Sequence, residues 1–191
     1  MNAALWVVSP PRPEADALVE ALSIPPAIAR VLVNRNILTA ADARVFLHGG
    51  LDGLHDPYLM NGMDRAVERI RAAIDRGEKI LIFGDYDVDG VLSTVMLKKA
   101  LTSLGAKVDY FIPERLTDGY GIKDEHVRIP VERGAALVIS VDCGIKSVEF
   151  TARAREKGID VVITDHHRPG DVLPDAVAVL DPVLADSGYP D

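Results

Sequence analysis

Lys79-Ile-Leu-Ile-Phe-Gly-Asp-Tyr-Asp-Val-Asp-Gly90 is the stretch on which the fold turns. Residues 79–83 form a short apolar run with no polar alternation. A strand with one wet face alternates, so this pattern predicts a strand covered on both sides. Three aspartates then follow at every second position and close on a glycine. That is a polar turn in the place where a buried strand hands over to a helix.

The same unit repeats downstream. Residues 90–104 carry helical spacing, and 107–112 read as a second strand before a helix near 123–133. Residues 136–141 predict a third strand and 145–157 a third helix, with a fourth strand at 159–164. A further helix over 61–76 precedes the first strand and stops at Gly77. Buried strands alternating with helices of this length predict an α/β fold with a parallel β-sheet flanked by helices. Upstream, short helices are expected near 14–22, 26–35 and 39–47, broken by Pro25-Pro26 and Gly49-Gly50, with Thr39 a cap and Asp42 three residues on. The expected organisation is a helical lead-in over 1–60 and an α/β domain over 61–191.

The loops after the strands carry the chemistry. After the first strand comes Gly84-Asp-Tyr-Asp-Val-Asp-Gly90, and after the second Pro113-Glu-Arg-Leu-Thr-Asp-Gly-Tyr-Gly121. The third leads into Asp142-Cys-Gly144 and the fourth into Asp165-His-His-Arg168. An open parallel sheet binds its ligands beyond the carboxyl ends of the strands. Four consecutive loops therefore bring metal-ligand residue types to one edge. Carboxylates with imidazole and no thiolate suit Mn2+ or Mg2+ before Zn or Fe. Clustered carboxylates could hold two ions ~3.5–4 Å apart. Without cations they repel one another and raise their own pKa values, so the site is expected to need added metal.

Rival readings of residues 85–90 fare less well. An EF-hand loop needs a bidentate Glu where Met96 stands and a helix where a strand precedes. A Walker A loop needs a Lys after the glycine, and none follows Gly90. An aspartyl-phosphate phosphatase also begins Asp-x-Asp after a strand but usually has Thr or Val in the place of Asp89, and it stays as a rival. Asp89 reads as a helix cap rather than a ligand. His48 and His55 read as structural or exposed, His126 as structural, and Cys143 as a buried thiol without a base. In the second loop Arg115 can grip a phosphate, Tyr120 can stack on a base, and Gly119 and Gly121 allow close backbone approach.

Composition sets outer bounds. The 191 residues are 48% hydrophobic and 26% charged, an ordinary globular balance. No apolar run approaches the ~18 residues of a spanning helix. The first thirteen residues lack a basic start, so no secretory signal is expected there, and a cytoplasmic protein without membrane contact is the simplest expectation. A single cysteine excludes a disulfide framework and a multi-cysteine zinc site. The net charge of −8 argues against a nucleic-acid partner, yet residues 160–191 hold seven aspartates and one arginine, a net of −6. That leaves −2 for the other 159 residues. No Lys/Arg run offers a patch that tracks a phosphate backbone, so bound cations or a further part of the protein must help to hold any such substrate.

At these loops the sequence resembles the DHH phosphoesterase superfamily. Its Asp-x-Asp-x-x-Gly motif matches Asp85 to Gly90, its next acidic motif matches Asp142, and Asp-His-His matches Asp165, His166 and His167. Within it the chain is most similar to the RecJ-type exonucleases. The Gly-Asp-Tyr-Asp-Val-Asp-Gly stretch, Ile-Pro-x-Arg followed by Asp-Gly-Tyr-Gly, Thr-Asp-His-His-x-Pro-Gly and the lead-in Leu54-His-Asp-Pro57 carry this. RecJ-type proteins usually have Glu where Asp118 stands.

The resemblance implies a metal-dependent phosphodiesterase that removes 5′ nucleotides from single-stranded DNA in recombination and repair, with a single-strand-binding protein as an open partner. Asp85, Asp87, Asp142 and His166 would be metal ligands. Asp165 and His167 would be ligands or orienting groups beside them, and Arg115 and Tyr120 would touch the strand. In-line attack of a metal-activated hydroxide is the implied mechanism. The family's further metal-binding aspartate and its substrate-clamping domain have no counterpart before Asp191. The chain is therefore expected to be incomplete and to cleave DNA poorly on its own. Two alternatives stay open: a non-catalytic RecJ-like binding module, and a DHH enzyme for short oligonucleotides or cyclic dinucleotides.

Overall fold

Each apolar run predicted as a strand becomes one in the computed structural model, which describes residues 7–114, 119 and 121–190. Strands β1 (Lys79–Gly84), β2 (Lys107–Phe111), β3 (Leu137–Val141) and β4 (Asp160–Thr164) pair in parallel. A fifth, β5 (Ala178–Leu180), extends the sheet beyond β4, giving the order β2-β1-β3-β4-β5. Three residues within a stretch rich in proline and aspartate offered too little pattern for β5 to be read from the sequence.

The chain divides into two compact units, Met1–Leu54 and His55–Asp191. In the first, helices α1 (Pro13–Leu22), α2 (Pro26–Asn34) and α3 (Ala40–His48) bury Leu18, Ala29, Leu32, Val33 and Ala43 among themselves. Thr39 caps α3 by accepting the Asp42 N–H at 3.1 Å, as its position in the sequence predicts. The division falls a few residues before the boundary expected from the sequence. The segment ahead of α4 (Met63–Asp75) is tied to the second unit: the Asn61 N–H donates to the Ser187 carbonyl at 2.6 Å, and the His55 ring meets Tyr189 edge-on.

In the second unit both faces of the central strands are covered, which is why β1, β3 and β4 carry buried apolar runs, whereas the edge strand β2, with Lys107 and Asp109, is only partly buried. Along β1, Leu81 and Phe83 point to one side and Ile80 and Ile82 to the other, the period of two of an extended chain. The first side packs on α7 (Val148–Glu156) through Phe150 and Ala154. The second packs on α4 and on α5 (Val88–Ser103) through Ala66, Ala73 and Leu101.

Two predicted helices are shorter than expected, each for an identifiable reason. Residues 124–127 form a 3-10 turn and only Arg128–Glu132 is α-helical (α6). Pro130 has no N–H to give the His126 carbonyl and its ring would collide with it, so one α-helix cannot run through. Helix α7 begins at Val148 rather than at Ile145, because Ser147, with φ of −88° and ψ of 55°, is outside the helical region; the Ile145 N–H donates instead to the Asp165 carboxylate at 2.9 Å. Among the described residues no helix is long and apolar enough to cross a membrane.

Phe83 is wholly buried, with the rings of Phe111, His126 and Phe150 around it. Phe83→Ala is expected to cost about 3–5 kcal/mol in urea unfolding. A loss below ~1 kcal/mol would mean that this face of the sheet is not the packed core described.

Candidate metal centre

The strand register sets the site. Gly84 pairs with Val141, Val141 with Thr164, and Thr164 with Leu180. One residue further on, each of these four neighbouring strands ends in an aspartate: Asp85, Asp142, Asp165 and Asp181. All four are buried, Asp85 at 2% exposure and Asp181 at 1%. The first three were read from the sequence. Asp181 was missed because its strand was; the signal was the short apolar run 177–180 ending in Asp-Pro.

Turning from β1 into α5 takes very little space. A Cβ on Gly84 would lie 2.1 Å from Thr94 Oγ1, and one on Gly90 would lie 2.4 Å from the Asp85 carbonyl. The two glycines let the helix start directly against the strand end, and Thr94 locks the turn by donating to the Gly90 carbonyl at 2.7 Å. The helix cap is Asp87, not Asp89 as the sequence suggested. Its Oδ1 accepts the N–H groups of Asp89 at 3.0 Å and Gly90 at 3.1 Å. Asp89 stands in the exposed first turn. The Gly90 N–H leads in holding the Asp87 carboxyl below its ordinary value.

Asp142 turns out of β3 with φ of 61°, a left-handed conformation that Asp tolerates better than most residues. Its Oδ1 lies 2.9 Å from His166 Nε2, while its Oδ2 is buried with no hydrogen-bond partner among the described residues. Burial first, and then the neighbouring Asp87 carboxylate, push the Asp142 carboxyl up to about 6.

Asp165 behaves differently from its neighbours in the row. Its Oδ1 receives the backbone N–H groups of His166 and His167 and lies 2.7 Å from His167 Nδ1, and its Oδ2 receives the Ile145 N–H. Burial pushes its carboxyl up, but these donors outweigh burial and leave it below its ordinary value. The bond from Asp165 raises the His167 imidazole in turn. With Nδ1 engaged in this way, Nε2 is the nitrogen that can offer a lone pair. The His166 and His167 rings stand edge-on with centroids 4.7 Å apart.

Two sets of ligand atoms result, each within 4.8 Å: Asp85, Asp87 and Asp142, and Asp142, His166 and His167. Asp142 belongs to both. Asp165, proposed from the sequence as a ligand, joins neither set among the described residues, because its oxygens are engaged in positioning the β4 loop. The orphaned Asp142 Oδ2 and the raised Asp142 carboxyl are what an oxygen-preferring dication would relieve, so the residues present fit such an ion. A cleft of about 460 Å³ opens beside them, lined by Met60, Met63, Leu92, Met96, Leu180 and Pro182, with Asp142 and His166 on its wall.

The remaining sequence candidates divide. Gly119 and Gly121 have φ of 73° and 78° beyond β2, whereas Arg115 and Tyr120 lie outside the described residues. His126 is buried against Phe83 and Phe111, and its Nδ1 accepts the Lys123 N–H. Cys143 is buried, with its thiol pushed up by that burial, and faces the Phe83 and Val141 carbonyls.

Asp142 also sets a pH dependence. Unfolded, its carboxyl titrates near its ordinary value, about 4; folded, near 6. The folded chain thus keeps a proton that the unfolded chain has lost, and Asp142's contribution to stability disappears as pH rises through about 6. Asp142→Asn is expected to raise the melting temperature of the metal-free chain above about pH 7 much more than near about pH 4. Asparagine also suits the left-handed backbone, but that preference does not vary with pH. Equal shifts at the two pH values would refute a strained charge at this position.

These features have counterparts in known proteins. Residues 79–188, more than half of the chain, match the model of the DHH family, N-terminal domain. The chain is 46% identical over 182 residues to the single-stranded-DNA-specific exonuclease RecJ of Bacillus subtilis, covering 94% of this chain and 23% of that relative. It superposes on the crystal structure of RecJ in complex with Mn2+ from Thermus thermophilus with a TM-score of 0.68 and 29% identity, over 95% of this chain and 24% of that one. A crystal structure of exonuclease RecJ bound to manganese gives 0.64 and 36% over 69% of this chain and 34% of that one. The chain thus spans about a quarter to a third of the length of these relatives. With the family's model matched from β1 past β5, and its aspartates and paired histidines gathered at one sheet edge, the chain belongs to the DHH family.

Proposed function

We propose that this chain carries the cation-binding half of a RecJ-like phosphodiesterase that degrades single-stranded DNA from its 5′ end in cytoplasmic repair and recombination. The observation that carries the reading is the pair of ligand sets sharing Asp142 at the ends of adjacent strands. Two ions side by side are what such sharing accommodates. Asp85, Asp87, Asp142, His166 and His167 are the proposed holders, with Mn2+ or Mg2+ as the ions. The 46% identity to a single-stranded-DNA-specific exonuclease, and the manganese named for the solved relatives, support the substrate and the metal.

When bound, the cations supply the charge that polarises a phosphoryl group and acidifies a water. The chain's own residues do the positioning. Asp165 fixes the tautomer and angle of His167, and the start of α5 fixes Asp87. Arg115, Gly119, Tyr120 and Gly121 are the proposed contacts to the strand, placed after β2 as the other loops are placed after their strands. Neutralisation by cations also resolves how a chain of net charge −8 meets a polyanion. Retention of both ligand sets speaks against a module that has lost its chemistry.

Mn2+ titration of the chain, followed by calorimetry, tests this. Asp87→Asn and His166→Ala are each expected to weaken binding at least about tenfold. Binding unchanged in both variants would remove the centre from these loops. Mn2+-dependent cleavage of a cyclic dinucleotide in preference to a long single strand would redirect the substrate assignment.

A further inference from the structure

Asp181 is the one member of the carboxylate row that the proposed function leaves unused. It is set in register with Asp165, since Thr164 pairs with Leu180 and the Asp165 N–H donates to the Leu180 carbonyl at 3.0 Å. Its Oδ1 accepts the Val183 N–H at 2.8 Å. Its Oδ2 is buried and has no hydrogen-bond partner among the described residues. At 1% exposure the residue is as deeply buried as any side chain in the row.

A carboxylate in this position is expensive. Burying an ionised group without a partner is strongly unfavourable unless a counter-charge is near. The basic side chain beside it is Arg65 of α4, which lines the cavity of about 200 Å³ behind Asp181 together with Asn61, Asp186 and Ser187. Among the described residues no ion pair joins Arg65 to Asp181. Turning the loop as Asp181-Pro-Val does not require the charge, because an asparagine would accept the Val183 N–H equally well. What the charge does reach is the β4 loop: Asp181 interacts electrostatically with Asp165, His166 and His167.

We propose that Asp181 is a positioning residue of the cation centre, an outer carboxylate standing behind Asp165 whose buried charge is balanced only when the centre is loaded. This rests on the metal reading of the preceding subsection and deepens it. Asp165 holds His167 through a direct bond, and Asp181 adds negative potential behind that bond without touching the ligand atoms. The carboxylate at the end of β5 then strains the empty centre and favours the filled one, while Asp165, already satisfied by its donors, holds His167 in both states. The same charge has opposite effects on the two states, and that opposition separates a role toward the cation from a role in folding alone.

Asp181→Asn in the full chain is the test, read by two measurements. The melting temperature of the metal-free variant is expected to rise by a few degrees, and its Mn2+ affinity by calorimetry to fall about tenfold, the range for groups that act behind metal ligands. Asp87→Asn is titrated alongside. If Asp87→Asn weakens Mn2+ binding while Asp181→Asn matches the parent within about twofold, the assignment of Asp181 fails and the centre stands. A lower melting temperature for Asp181→Asn would also overturn the assignment, because it would show that the carboxylate is stabilised within the chain, through Arg65 or otherwise. No Mn2+ binding by the parent would end both readings together.

Discussion

Four aspartates, one at the end of each of four neighbouring strands, impose the constraint to which the rest of this structure answers. Parallel pairing in a fixed register places them side by side, and the same pairing buries them, because the helices that cover both sheet faces leave little water at the strand ends. Negative charges so arranged disfavour one another's ionisation. The structure responds differently at each place. Asp87, on the loop just beyond the row, is held ionised by N–H groups at a helix start. Asp165 is held by three backbone donors and an imidazole. Asp142 and Asp181 are pushed up instead, and each keeps one oxygen without a hydrogen-bond partner among the described residues.

That division of labour explains the local backbone. Asp87 can cap α5 only if the helix begins against the end of β1, and the close approach is possible only with glycine at both 84 and 90. Asp165 can gather its donors only if the chain after β3 is turned back toward it. The left-handed Asp142 and Gly144, with φ of 61° and 112°, turn the chain so that the Ile145 N–H reaches the Asp165 carboxylate, and α7 starts beyond that turn. The short α7 and the tight β1–α5 turn are thus two consequences of satisfying some carboxylates and not others.

Much of this was legible in the sequence. Four strands with apolar runs on both faces announced a covered parallel sheet, and polar loops recurring after each strand located the edge that matters. Local pattern did not reveal which carboxylate does what. Asp89 looked like the cap because it immediately precedes Gly90, yet capping is decided by which side chain reaches the free N–H groups, and Asp87 does. Asp165 looked like a ligand because it adjoins two histidines, yet one of its oxygens is engaged by a backbone N–H twenty residues away and the other by the N–H groups of His166 and His167 and the His167 ring. Asp181 was invisible, because a three-residue strand has no periodicity to read and the residue acquires meaning only from its register with Asp165. Short-range chemistry is written in sequence neighbours, whereas a row across strands exists only after pairing.

The net charge fits the same logic. Within 160–191, Asp160 and Asp175 are paired with Arg69 and Arg155. The carboxylates that oppose a phosphate backbone at the strand ends are therefore those of the centre, an obstacle for a protein proposed to act on DNA only if the centre is considered empty. An empty centre repels a phosphate backbone, and its unpartnered oxygens destabilise the fold around it. A loaded centre attracts phosphate at the point where the strand ends converge, and it relieves the strained carboxylates at the same time. Substrate attraction and relief of strain therefore depend on one event, the arrival of cations. A basic groove would bind nucleic acid whether or not the centre were loaded. In the proposed function, an acidic chain with a cation-filled edge would tie attraction at that point to the state in which hydrolysis is possible.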